Sequence, residues 1–66
     1  MSTTEEWRQR ELEKYTRLAA ITRLQAAECE TRYGDTRPTW ISRANLARYE
    51  RMRDVFADAI AYRSKP

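Results

Sequence analysis

The sequence predicts an all-α fold: an antiparallel hairpin of two long helices, expected to pair with a second copy into a four-helix bundle. Three observations lead there. One glycine and two prolines punctuate the 66 residues, and Pro66 is terminal, so "YGDTRP" (33–38) is the one credible break. On both sides of it apolar residues recur at alternating spacings of three and four, the signature of one helical face. No strand pattern or internal repeat competes, and the length fits a single domain over 1–66.

The first helix is expected over about 4–33. "STTEE" offers Ser2 or Thr3 as an N-cap with Glu5 or Glu6 three residues on, a capping box that satisfies orphan amides at the helix start. Leu12, Tyr15, Ala19, Thr22, Ala26, Cys29 and Tyr33 form its inner stripe. Gly34 suits a left-handed C-cap, and Pro38 suits the first turn of the next helix, giving a turn over 34–38. The second helix is expected over about 39–63, with Asn45, Tyr49, Met52, Phe56 and Ala59 facing inward. At 1.5 Å per residue the helices span roughly 45 and 35 Å. Folded about Gly34, the small Ala19, Thr22 and Ala26 face the large Phe56, Met52 and Tyr49, which lets facing layers fill space. Glu6–Arg10, Glu13–Arg17 and Glu28–Arg32 are oriented i, i+4 pairs of an exposed face, each contributing about 0.3 kcal/mol.

One inner stripe leaves apolar residues over. "LAAITRLQAA" (18–27) is apolar almost all round, so Ala20, Ile21, Leu24 and Ala27 point away from the stripe. Leu46, Val55, Ile60 and Tyr62 form the surplus of the second helix. A hairpin has one internal interface, and surplus of this kind marks a partner-binding face. A chain this short sits at the edge of independent stability and usually needs a staple, a metal or a partner. Cys29 is the only cysteine and there is no histidine, which excludes an internal disulfide and, in practice, a zinc site. A partner remains, and the expected ones are a second copy and one further protein. Trp7, Ala20, Ile21, Leu24, Leu46 and Ile60 are the candidate interface residues. Trp7 serves as an anchor or a helix-end staple, whereas Trp40, beside the turn, reads as a staple.

Enzymatic function is not expected. The chain has no histidine, no glycine-rich phosphate loop and no carboxylates spaced for a metal, and Cys29 falls on the inner stripe as a small buried hydrophobe. No cofactor or small-molecule substrate is expected, because a hairpin offers no concave pocket of ligand size. The lone cysteine fits a reducing compartment, there is no apolar run of membrane length, and "MSTTEEWRQRE" lacks the apolar core of a leader, so the expected location is cytoplasmic.

Charge is unevenly spread. Residues 1–36 hold six basic and seven acidic side chains, whereas residues 37–66 hold seven and three. A basic half-molecule attracts nucleic acid or acidic protein. Within it, "ISRANLARY" (41–49) resembles the recognition helices of bacterial helix-turn-helix repressors through Ser42, Arg43, Asn45 and Leu46. That resemblance implies a capping Ser42, Arg43 and Asn45 reaching phosphates or base edges, and Leu46 packing inward. Arg37, Arg48 and Arg51 complete the candidate nucleic-acid contacts. The surroundings depart from that family's pattern: Trp40 stands where a glycine-bearing tight turn belongs, the preceding helix is nearly thirty residues long, and the arginines diverge on a helical wheel. The architecture alone is similar to a small plasmid RNA-binding regulator built as a four-helix bundle from two hairpins, a likeness that carries no residues across. The functional expectation is therefore a self-associating protein–protein interaction module, an accessory regulator or inhibitor of the phage or plasmid type. A dimeric nucleic-acid-binding regulator using the Arg-rich second helix is the alternative.

Overall fold

A computed structural model describes residues 3–64 and shows two helices, α1 (Thr3–Tyr33) and α2 (Arg37–Ser64), packed against each other along their length. Ser2 and the Thr3 side chain, the expected capping groups, lie outside the described residues. Glu5 and Glu6 occupy the first turn of α1 and Arg32 the last, each opposing the partial charge of its helix end.

The break lies where the glycine puts it but is shorter than expected, because α2 begins at Arg37 and takes Pro38 into its first turn. Gly34 has φ +66°, and its amide donates to the Glu30 carbonyl at 2.9 Å, a left-handed cap that closes α1. The Thr36 amide returns to the Gly34 carbonyl at 3.0 Å, and the Thr36 carbonyl accepts the first helical bond of α2 from Trp40, also at 3.0 Å. Thr39 is fully buried, and its hydroxyl donates to the Gly34 carbonyl at 2.6 Å, tying α2 to the end of α1. The Trp40 indole N–H donates to the Asp35 carboxylate, which gives Trp40 its place at the turn.

Cross-helix contacts fix the register. Cys29 Sγ lies 3.5 Å from Ser42 Oγ, the Tyr15 ring stacks on Phe56 at 5.9 Å, and Tyr15 and Tyr49 meet at 6.3 Å. The inner face of α1 is the expected one as far as Cys29, with Ala19, Thr22 and Ala26 buried, but Tyr33 is half-exposed at the turn. The inner face of α2 meets the expectation in part: Tyr49, Met52, Phe56 and Ala59 are half-buried and Asn45 is not, and further residues join them. Thr39 is buried and Ser42, Leu46, Tyr49, Arg53, Phe56 and Ile60 are half-buried, an unbroken repeat of three and four. Asn45 is exposed, while Met52 and Ala59 sit at the flank of this stripe.

The alignment is consequently displaced by about one turn. The Cys29–Ser42, Arg23–Glu50 and Tyr15–Phe56 contacts set the register, and counting between them puts Ala26 level with Leu46, Thr22 with Tyr49 and Ala19 with Arg53, so small still faces large across the axis. Phe56 meets Tyr15 and, edge-on at 5.4 Å, Trp7, instead of Ala19. Of the three expected i, i+4 pairs Glu28–Arg32 forms at 3.5 Å, whereas among the described residues Glu6–Arg10 and Glu13–Arg17 do not. No helix among the described residues is long and apolar enough to cross a membrane.

Candidate interaction face

The hairpin is one layer thick. Its principal extents are 48 × 19 × 13 Å, and the shortest is close to the ~10–12 Å width of a single helix with its side chains. Such a layer has two broad faces, and the inner stripes decide which residues lie on each. In an antiparallel pair the positions immediately after the second residue of each inner repeat share one face, and those immediately before the first share the other.

The first of these faces carries ion pairs. Arg23 meets Glu50 at 2.6 Å and Arg43 meets Glu30 at 2.9 Å. The residues of each helix are seven apart, so both bridges lie along one edge of the helix contact. Around them sit alanines, Ala20 and Ala27 on α1 and Ala47 and Ala61 on α2, all exposed. A shallow open hollow lined by Leu12, Glu13, Thr16, Arg17 and Ala20 runs along α1 on this side. All five residues belong to one helix, and their one carboxylate and one guanidinium provide no enclosed site for chemistry.

The second face is apolar. Trp7 and Ile21 on α1, and Ile41, Val55 and Tyr62 on α2, stand on it with about half or more of their surface exposed. Each set is spaced in sevens from the inner stripe of its own helix, so the five form two parallel rows. Leu18 and Met52, half-buried at the flanks of the helix contact, fill the ground between the rows. The rows also hold charge. Lys14 bonds Glu11 at 3.0 Å and lies 5.0 Å from the centre of the Tyr15 ring, and Arg48 falls between Ile41 and Val55. The Glu11 carboxylate, as hydrogen-bond partner and as charge, raises the Lys14 pKa above its ordinary 10.5. This surface contact is therefore complete at neutral pH and is lost only as pH rises through the shifted value.

The six candidate interface residues are thus divided. Trp7 and Ile21 lie on the apolar face. Leu24 is 74% exposed but points directly away from α2, and Ala20 lies on the ion-paired face. Leu46 and Ile60 are half-buried on the inner stripe, so much of their surface is covered within the hairpin. Ile41 was not among the candidates. The signal that finds it is the seven-residue series 41, 48, 55, 62, visible once the inner stripe of α2 is correctly placed.

The candidate nucleic-acid contacts are divided as well. Arg43 is bound to Glu30 across the helices, and Asn45 is exposed. Ser42 lies inside the second turn of α2 against Cys29, where it cannot cap the helix, and Leu46 points inward. Arg37 and Arg51 are exposed on the outward side of α2 and Arg48 is exposed on the apolar face, while Arg53, beside Asp54 at 3.1 Å, belongs to the inner stripe. The four arginines 43, 48, 51 and 53 therefore lie on four different sides of α2, as their spacing on a helical wheel implies.

Among the described residues, no three His, Cys, Asp or Glu side chains gather as a metal site. The fold and its surfaces define an all-helical hairpin with one salt-bridged and one apolar face. Compared with protein-family models, curated proteins and solved structures, the chain matches none.

Proposed function

We propose that this protein is a non-enzymatic module that works by protein–protein association, first with a second copy of itself, as a small accessory regulator or inhibitor. The observation that carries this reading is surface area. The hairpin exposes 5428 Å², whereas a compact monomer of its 7.9 kDa exposes about 4,400 Å². Its radius of gyration, 14.9 Å, likewise exceeds the ~11 Å of a compact chain of this length. The excess of about 1,000 Å² is of the size that one partner buries in a standard protein–protein interface. The interior is correspondingly thin, with Ala19 and Ala26 as its buried apolar residues.

Light scattering after gel filtration, together with melting curves over the micromolar range, tests the reading. Association predicts a mass of twice the protomer and a melting temperature that climbs with concentration. A monomer whose melting temperature ignores concentration refutes self-association. The exposed Arg37, Arg48 and Arg51 support a second reading, a dimeric nucleic-acid-binding regulator.

A further inference from the structure

Five of the eight large apolar side chains exposed among the described residues lie on one side of the layer, and this sidedness names the docking surface. Ion pairs Arg23–Glu50 and Arg43–Glu30 occupy one face, while Trp7, Ile21, Ile41, Val55 and Tyr62 occupy the other. From this we infer that the apolar face is where a second copy of the chain docks, closing a two-layer bundle of four helices. The inference rests on the proposed self-association and adds to it which face is used and by what.

Three features select a second copy as the occupant. The area comes first: the surplus of about 1,000 Å² is close to the ~800 Å² that each partner contributes to a standard dimer. A two-fold pairing also lays the same patch on itself, so that patch must be self-complementary in shape and charge. Both rows are spaced in sevens on helices of similar length, 31 and 28 residues, so the ridges of one copy match the grooves of the other. The third feature is charge. On this face the charges of α1 cancel, Glu11 against Lys14 at 3.0 Å and Glu28 against Arg32 at 3.5 Å, so a second copy meets no net repulsion from that row. The long stem of Arg48 on α2 covers apolar surface while its head reaches the rim.

Docking also supplies what the single layer lacks. Domains bury apolar surface between two packed layers, and the hairpin alone is one helix thick. In the dimer Ile21 and Val55 lie between layers at mid-length, Leu18 and Met52 form the floor beneath them, and Trp7 and Tyr62 close the end far from the turn.

The test uses the full chain and three variants. Ile21→Glu with Val55→Glu places four carboxylates in each proposed dimer interface, where unpaired charge is strongly disfavoured. Sedimentation equilibrium should show the dimer dissociation constant raised at least about a hundredfold. Leu24→Glu, at a more exposed apolar residue pointing away from the face, should leave the dissociation constant within about threefold of the parent. A hairpin separated from its copy is marginal and can unfold, so a third variant, Ile21→Lys with Val55→Lys, is mixed with the glutamate variant. The mixture should recover dimer mass and helicity that neither variant shows alone, through opposite charges meeting across the interface.

A parent that dimerises as strongly after the glutamate substitutions overturns the inference and leaves the association reading standing. Loss of the dimer in Leu24→Glu to the same degree overturns it too, as does a mixture that stays at the mass of its components. A monomeric parent overturns both readings together.

Discussion

Truncation of Phe56 is the sharpest probe of how the hairpin is held. The ring is half-buried on the inner stripe of α2, stacked on Tyr15 at 5.9 Å and edge-on to Trp7 at 5.4 Å. Removing a fully buried phenylalanine costs ~3–5 kcal/mol, so partial burial sets about half of that. The two ring pairs add ~0.5–1.5 kcal/mol each beyond their area. Phe56→Ala should therefore destabilise by about 3 kcal/mol, which for a domain this small lowers the melting temperature by roughly 15 °C. Total stability on the scale of ~0.1 kcal/mol per residue makes that loss close to half of the whole. Far-UV circular dichroism melts at one fixed protomer concentration measure the effect, because concentration alone shifts an associating fold. A cycle with Tyr15→Ala isolates the stacked pair and should return a coupling of about 1 kcal/mol. Leu24→Ala, 74% exposed, serves as the control and should stay within ~0.5 kcal/mol of the parent. If Phe56→Ala melts with the parent, or the cycle shows no coupling, the aromatic register is wrong.

The geometry sets four further outcomes. Ala19, 2% exposed, leaves no room for a larger side chain, so Ala19→Leu should lose ~1–3 kcal/mol by overpacking, read by urea denaturation. Gly34→Ala meets no atom within 4 Å of the added carbon and suffers from its φ of +66° alone, a cost of ~1–2 kcal/mol that Gly34→Asn should largely avoid in the same measurement. Thr39→Val keeps the shape of a fully buried side chain but removes the hydroxyl that serves the Gly34 carbonyl, and chemical denaturation should report a loss of ~1–3 kcal/mol. Arg37→Ala with Arg51→Ala removes two exposed charges away from both the helix contact and the apolar face. It should leave the oligomeric mass unchanged, with no sub-micromolar, salt-sensitive duplex binding in an electrophoretic shift by either protein. Binding of that kind by the parent that the double variant loses would favour the nucleic-acid reading.

How far the sequence reached, and where it stopped, has a physical explanation. The hairpin was legible because Gly34 and Pro38 are the only internal breakers and supply the two conformations a helix end and a helix start require. The inner face of α1 was legible because Ala19, Thr22 and Ala26 fall on a single repeat. The stripe of α2 was not. Two repeats one residue apart both pass through Tyr49 and Phe56, one continuing through Met52 and the other through Arg53. Hydrophobicity favours Met52, yet the structure half-buries Arg53 as well as Met52. Which of two adjacent repeats faces the partner helix is a property of the pair and cannot be read from either alone. The misplaced stripe carried Leu46 and Ile60 to the outside and concealed Ile41. The apolar surplus itself was visible in the sequence; the gathering of most of it on one face was not.

The three-residue link at 34–36 also has a kinetic consequence. Cross-helix contacts are separated by ever longer stretches of chain as they lie farther from it: thirteen residues between Cys29 and Ser42, twenty-seven between Arg23 and Glu50, forty-nine between Trp7 and Phe56. Chain-closure entropy grows with that separation, so the pairs beside the turn form first and the zipper runs outward to the aromatic end. The strongest side-chain contacts are therefore made last. Mutations at Phe56 should speed unfolding while leaving the folding rate nearly unchanged, and mutations at Gly34 or Thr39 should slow folding. How long a closed hairpin stays closed is set at the end farthest from where it began to close.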